Sequence, residues 1–550
     1  MANASLFPIV IGDLTTFLAT RSVRAWLVGG GPRDLLLGRA LGDLDLAVDG
    51  DGVALARAYA DACGGAFVAL DSERGTGRVV ITTAEGAPLI IDLVQLRAAT
   101  IEADLALRDV TINGMALPLM DGGRWMVDGF SHDDTGRDVT IPSTVHRPPS
   151  LIDPLGGYAD LLAGRLRACG PTSMADDPLR ILRVVRMAAT LGFQIDHSLD
   201  RALRAAAVGI AQVAAERVRD ELLKLLDTPV AAGWLRYLDA IGVLTRIFPE
   251  LEPARACDQP RVHFLPVLAH SLETVAALDW LIDNGRWTVD SKDLPPSIVH
   301  RPPSLPVAVQ IHPELSRMLP YAEQIAAELN ERRGGVRRAV LLKLAALLHD
   351  NAKPQTKVRH PDGSVTFYGH QEQGAVVAME IAQRLRLGRI DVAYVGAVVH
   401  EHMRPGQIRA SGQLTRRAVV RLFRDAGDAG ADVLLHELAD HLATRGPHID
   451  PIGWQAHLAW VELVLTTHYM RPTPPPEPLL RGDALMAELG IGPGPQLGAI
   501  LREIAEAYAS GEIIDREGAL ALARQLLAEA SGGRAGDKKS GESLVNGGMP

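Results

Sequence analysis

The sequence predicts a small α/β head, a mixed sheet with helices on it, followed by a long and mainly α-helical remainder. Three observations predict it. Short apolar runs near the N terminus alternate with a glycine-rich turn and one amphipathic helix over residues 1–120. Beyond residue 152 the periodic segments become helical, with Asp and Pro placed where helices begin. The chain has 550 residues, 47% of them hydrophobic, which is enough for about three or four domains with buried cores.

Within the head, residues 25–28 read as a strand that runs into Gly29, Gly30 and Gly31. Pro32 then opens a short helix, where its fixed φ and missing N–H do no harm. Such a turn brings backbone N–H groups and a partly positive helix end toward a ligand, which suits phosphate. A second strand spans residues 43–48, and its alternation puts Asp43 and Asp45 on one side. Paired carboxylates repel each other without a cation. Beside a phosphate-binding turn the natural occupant is a pair of Mg²⁺ ions. A glycine turn or an Asp-x-Asp is common on solvated surfaces when it stands alone; the strand–turn–helix–strand order favours catalysis. Residues 53–63 then read as a helix, and 67–70, 78–83 and 88–94 as strands. Asp92 lies in the apolar run Leu-Ile-Ile-Asp-Leu-Val, where an acid is costly unless paired or metal-bound. It is the candidate third carboxylate.

Two further motifs follow. Residues 104–116, Asp-Leu-Ala-Leu-Arg-Asp-Val-Thr-Ile-Asn-Gly-Met-Ala, read as a turn before a helix with Asp109 as cap. Within residues 174–187, Asp177 reads as the N-cap and Pro178 as the first position of a helix that carries Arg180, Arg183 and Arg186 along one flank.

Together these motifs resemble the class II tRNA nucleotidyltransferases (CCA-adding enzymes) and bacterial poly(A) polymerases. The resemblance rests on Gly29-Gly30-x-x-Arg33-Asp34 followed by Asp43-x-Asp45, and on the two later motifs. It implies that Asp43, Asp45 and Asp92 hold the catalytic Mg²⁺ ions, and that Gly29, Gly30 and Arg33 meet the triphosphate. It implies that Arg108, Asp109 and Asn113 lie near the sugar and phosphates. Asp177 and Arg180 would read the base edge as a protein template for C and A, since an acceptor-only carboxylate beside a donor-only guanidinium can match it. Arg183 and Arg186 join them as nucleotide-binding candidates, and the helix around residues 216–224 as a wall of the same pocket. The chain departs from the family pattern at Leu107, Val110, Gly114 and Asp176.

A second constellation occupies residues 256–470. An apolar helix over 336–350 ends in His349-Asp350, and His270, His370, His402 and Asp440 stand on or beside other helical segments. Imidazole and carboxylate ligands suit a divalent metal with open positions for water and phosphate. The order resembles the HD phosphohydrolases. It implies His270, His349, Asp350 and Asp440 as the basic set, with His370 and His402 for a second metal, a divalent transition ion or Mg²⁺. His436 and His441 stand close to Asp440 in sequence and compete for that assignment.

The remaining segments are simpler. Residues 121–151 hold an inserted element: Gly-Arg-Trp-x-Val-Asp at 123–128 recurs at 285–290, and Val-His-Arg-Pro-Pro-Ser-Leu at 145–151 recurs at 299–305. Two copies this far apart do not suit a solenoid. The neck spans 152–255. A Pro-rich linker precedes a helical tail over 479–530, a candidate RNA contact, and the Gly/Ser/Lys-rich residues 531–550 read as disordered.

Composition bounds the function. Net charge is −10, so RNA must be met by local basic patches rather than a global field. Three scattered cysteines and the lack of a basic, apolar leader point to the cytoplasm. No apolar run approaches the ~20 residues of a membrane span. Nothing in the sequence sets an oligomeric state. The sequence thus predicts template-independent addition of C and/or A from CTP and ATP to the tRNA 3′ end, with a second, HD-type phosphohydrolase activity. Poly(A) synthesis, addition of A or CC alone, and a chiefly hydrolytic protein with a weak head are the rivals.

Overall fold

The computed structural model describes residues 3–39, 41–71, 74–82, 88–119, 147–282, 305–316, 318–332, 334–470 and 478–536. The repeated element lies outside the described residues except for 147–151 and 305. Of these, Leu151 is buried, so the end of the expected insert belongs to the folded core. The chain divides into two compact units, one running to Pro249 and the other starting at Glu250. No helix among the described residues is long and apolar enough to cross a membrane.

The first unit holds the head. Its strands are β1 (Ala25–Leu27), β2 (Leu44–Val48), β3 (Ala66–Asp71), β4 (Thr76–Thr82), β5 (Pro88–Gln95) and β6 (Leu117–Pro118), in the order β3-β4-β5-β2-β1-β6. Only β2 and β5 run parallel; the other pairs are antiparallel, giving the mixed sheet. The β2–β5 register sets Asp45 directly opposite Asp92, so the two carboxylates share a face. Leu27, Leu44, Leu46, Ile91 and Leu93 supply the fully buried core. Helix α1 (Asn3–Ala19) precedes the sheet, and α2 (Gly30–Leu36) follows β1. Helix α3 (Gly52–Cys63) is capped by Asp51, which accepts from the N–H groups of Val53 and Ala54, and ends at Gly64 in the left-handed region. It packs closely on the sheet: a Cβ on Gly52 would lie 2.3 Å from the Gly75 carbonyl oxygen.

After α4 (Ile101–Ala106) the second motif forms a single 3₁₀ turn, Thr111–Asn113, rather than the start of a longer helix. Gly114 therefore ends a turn and weakens no helix. The neck adds α5 (Arg180–Leu191) and α6 (Ala215–Leu226), which pack together. Helix α5 begins two residues past Pro178, with Leu179 rather than Asp177 at its N-cap; Asp177 accepts from the Leu179 N–H at 3.2 Å in the turn before it.

The second unit is helical apart from a small hairpin, Val358–Arg359 with Val365–Thr366. Its central helices are α7 (Val267–Ile282), α8 (Arg338–Leu348), α9 (His370–Arg384), α10 (Arg389–Glu401), α11 (Arg416–Ala426), α12 (Gly430–Arg445) and α13 (Pro451–Tyr469). Helices α7 and α8 are buried on nearly every face, which explains their continuous apolar runs. The tail contributes α14 (Gly482–Leu489), α15 (Pro495–Ala509) and α16 (Arg516–Gly536) around Leu485, Ile500 and Ile504. The last helix runs past residue 530 into the segment expected to be disordered, carried on by the alanine-rich turns before it.

Candidate functional site

In the head, the turn after β1 places glycine in a conformation that other residues rarely adopt. Gly29 has φ +69°, and a Cβ there would lie 3.1 Å from Asp45 Oδ2 and 3.6 Å from Arg108 Nη1. The turn, the carboxylate and the guanidinium thus meet at one corner. Among the described residues, the side-chain carboxylates of Asp43 and Asp45 accept no hydrogen bond; Asp43 is exposed and Asp45 half-buried. Burial, reinforced by the nearby Asp92 and Asp43 charges, pushes the Asp45 carboxyl up. A site that raises an ionisable oxygen in this way, with no donor aimed at it, fits a divalent cation.

Asp92 differs. Arg78, directly opposite it across β4 and β5, clamps both its oxygens at 2.7 and 2.8 Å. The third carboxylate is on the same face but is occupied by a partner that sequence reading missed. Cross-strand register, invisible in the sequence, makes that pair.

Arg33, Asn113, Asp109 and Arg183 form a continuous chain through the first unit. Arg33 donates to Asn113 Oδ1 at 2.8 Å, Asn113 Nδ2 donates to Asp109 Oδ1 at 3.0 Å, and Arg183 Nε donates to Asp109 Oδ2 at 3.2 Å. Burial would push the Asp109 carboxyl up, but the Arg183 charge and the hydrogen bonds outweigh it and hold it low. Arg183 and Arg186 also reach the buried Glu221 on α6, at 3.7 and 2.5 Å. Arg108 is tied to Asp104 at 3.1 Å while its buried Nε has no partner. The candidate base-reading pair is spent elsewhere in this state. Asp177 accepts from Arg217 at 2.8 Å, and Arg180 donates to the carbonyl oxygens of Ser173 (2.9 Å) and Leu107 (2.8 Å).

In the second unit, the ends of three helices and the middles of two others bring the predicted histidines together. His349, His370 and His402 stand at helix ends; each Nδ1 lies 2.7–2.8 Å from the carbonyl oxygen three residues before it, of Ala346, Phe367 and Val399. That bond fixes the ring and leaves Nε2 for a ligand. Two groups result, His270–His349–Asp350 and Asp350–His370–His402, each with its ligand atoms within 4.8 Å of one another. Asp350 belongs to both. Its Oδ2 lies 3.1 Å from His349 Nε2 and 3.6 Å from His270 Nε2; its Oδ1 lies 3.4 Å from His370 Nε2. Asp440, on α12, comes within 2.8 Å of His270 Nε2.

These contacts are close but poorly directed. Both oxygens of Asp350 and both nitrogens of His270 are buried without hydrogen-bond geometry. Buried polar groups left so fit a cation better than one another. Lys353 Nζ approaches Asp350 Oδ2 to 2.6 Å. Burial favours the protonated acid, yet the charges of His349 and Lys353 prevail and hold the Asp350 carboxyl well below the usual range. His441 turns away and stacks on Trp454, whereas His436 joins the cluster.

The first unit thus has the fold and acidic corner of a nucleotidyltransferase head, and the second the helical fold and histidine–aspartate cluster of an HD domain. Comparisons with known proteins agree. Family models match as Poly A polymerase head domain (residues 25–167), Probable RNA and SrmB-binding site of polymerase A (192–255) and HD domain (317–444). The A-adding tRNA nucleotidyltransferase of Deinococcus radiodurans is 33% identical over 92% of this chain and 96% of its own. The CC-adding tRNA nucleotidyltransferase of Thermus thermophilus is 30% identical over 90% of this chain and 92% of its own. Among solved structures, the Thermotoga maritima CCA-adding enzyme complexed with tRNA shares the fold with a TM-score of 0.54 at 20% identity, covering 96% of this chain and 95% of that one. The chain belongs to the tRNA nucleotidyltransferase family.

Proposed function

We propose that the chain extends the 3′ end of tRNA with C, A or both, taken from CTP and ATP, without a nucleic-acid template. The observation that carries this is the corner where Gly29, Asp45 and Arg108 meet beside the free Asp43. Asp43 and Asp45 would hold Mg²⁺, which when bound lowers the pKa of the attacking 3′-hydroxyl and offsets charge on the departing pyrophosphate. Arg108, with one buried N–H unpaired, and Arg33 orient the triphosphate. Asp92, held by Arg78 in this structure, would supply a third carboxylate for the ion. Asp177 and Arg180 present the base-reading edge after exchanging Arg217 and the backbone carbonyls for the nucleotide. A tRNA substrate and three scattered cysteines favour the cytoplasm as its compartment.

Two relatives spanning nearly the whole chain are named A-adding and CC-adding, whereas the multifunctional CCA proteins match it over shorter stretches. That favours a partial specialist. Purified protein given tRNA ending before CCA, or in CC, with Mg²⁺ and each nucleotide tests it by product length. Arrest after CC, or a single A on a CC end, supports the specialist. C, C and A in sequence makes it a complete CCA-adding enzyme. A long A ladder makes it a poly(A) polymerase, and no extension overturns the reading.

The HD cluster supports a second activity, hydrolysis of phosphate monoesters or cyclic phosphates with a divalent transition ion or Mg²⁺ held by His270, His349, Asp350 and Asp440, and a second ion by His370 and His402. Phosphate release from such esters, lost in Asp350→Asn and kept in Asp45→Asn, tests it.

A further inference from the structure

We propose that His436 is an additional metal ligand of the HD centre; this rests on the metal-binding reading of that cluster. His436 is fully buried, and neither ring nitrogen has a hydrogen-bond partner. Its neighbours are imidazoles. The ring centroid lies 4.9 Å from that of His349 and 5.8 Å from that of His402, both edge-on. The candidate ligands themselves are spaced in the same way, 5.3 Å for His270–His349, 5.1 Å for His349–His402 and 5.2 Å for His370–His402. His436 therefore stands beside one histidine from each of the two groups that share Asp350. It also lies one turn before Asp440 on α12, and residues four apart share a helix face.

A histidine retained for packing alone looks different here. His441 is the internal control on the same helix. It packs edge-on against His457 at 4.5 Å and stacks on Trp454. His349, His370 and His402 each hold a carbonyl, whereas His436 holds nothing. Burying an imidazole with both nitrogens unpaired disfavours the folded state unless a further partner completes it. The one chemistry common to its neighbours is coordination of a divalent cation.

A ligand role makes two effects of opposite sign. In the Asp43→Asn/Asp45→Asn background, which silences the head, His436→Phe removes the unpaired nitrogens and keeps the bulk. The metal-free protein is expected to melt at a higher temperature than its parent. Mn²⁺ affinity by calorimetry is expected to fall about tenfold or more, and the visible spectrum of the Co²⁺-loaded protein to change. His441→Phe is expected to leave the Mn²⁺ affinity and the Co²⁺ spectrum unchanged. Unaltered Mn²⁺ binding and an unaltered Co²⁺ spectrum in His436→Phe would overturn the proposal while leaving the metal centre standing. A parent that binds no Mn²⁺ or Co²⁺ would instead remove the metal reading, and the proposal with it. If His436→Phe does not fold, His436→Gln carries the same binding and spectral comparison.

Discussion

The two candidate sites offer ligands to the same ion class by opposite means. In the head, Asp43 is exposed and Asp45 half-buried, the nearby arginines are tethered to Asp104 and Asp109, and the phosphate turn is backbone. In the HD cluster five of the six predicted ligands are almost fully buried, and three rings are locked by carbonyls. An open acidic corner suits ions that arrive with a triphosphate and leave with pyrophosphate. A sealed set of imidazoles suits a resident ion. The sharpest way to break this contrast is to remove one ligand from each site. Asp45→Asn should lower extension by at least about 100-fold, the scale of losing one electrostatic stabiliser of the transition state. Metal uptake by the HD cluster should stay unchanged. Loss of HD-cluster metal in equilibrium dialysis, alongside the loss of extension, would show that the sites are not independent.

The reciprocal change has a larger structural cost. Asp350→Ala leaves Lys353 buried beside an empty space, since Asp350 Oδ2 is 2.6 Å from its ammonium. Removing one partner of a buried ion pair costs about 3–5 kcal/mol. Denaturant unfolding of the second unit should shift by that amount, while extension by the head persists. A small shift would mean that Lys353 finds Gln259 Oε1, 2.8 Å away, a sufficient partner.

Which parts were legible in the sequence follows from how local they are. The glycine turn, Asp43-x-Asp45 and His349-Asp350 are short motifs whose chemistry sits in neighbouring residues, and the other HD histidines are readable only from their order along the chain. The partners of those residues are not local. Arg78 meets Asp92 only through strand register, and Arg217 meets Asp177 only because α6 packs on α5. His436 could have been found: the four-residue helical spacing favours it over His441 as a companion of Asp440. The tail shows the same limit. Arg417, Arg421 and Arg424 on α11 converge on Glu506 of α15, a cluster no spacing rule predicts.

A smaller perturbation tests the geometry of the open corner. Gly29→Ala demands an alanine at φ +69° and ψ −128°, about 1–3 kcal/mol of strain, with its methyl 3.1 Å from Asp45 Oδ2. Because the carboxylate would have to move, kcat should fall by more than that strain alone would explain. Loss of stability without loss of kcat would show that Asp45 does not work from this position.

The finest distinction lies within the head, between a carboxylate kept for an ion and one kept for the fold. Asp104 is buried among Arg97 and Arg108, with bonds of 2.8 and 3.0 Å from Arg97. Burial alone would push its carboxyl up, but the Arg97 hydrogen bonds and the Arg108 charge bring it below its ordinary value. Between the folded value and the unfolded one near about 4, the unfolded chain binds more protons. Its contribution is therefore complete above about pH 4 and is lost as pH falls through the lower, folded value. Asp45 runs the other way: its folded value is raised, so its ionisation costs stability as pH rises from about 4 through that value. Asp104→Asn should destabilise the metal-free first unit at pH 7 by about 1.5–3 kcal/mol and flatten the acid limb. Asp45→Asn should stabilise it at pH 7 and leave the acid limb intact. Urea unfolding from pH 3 to 8 reads both, and two shifts of the same sign would show that Asp45, like Asp104, is held by the fold rather than reserved for a cation.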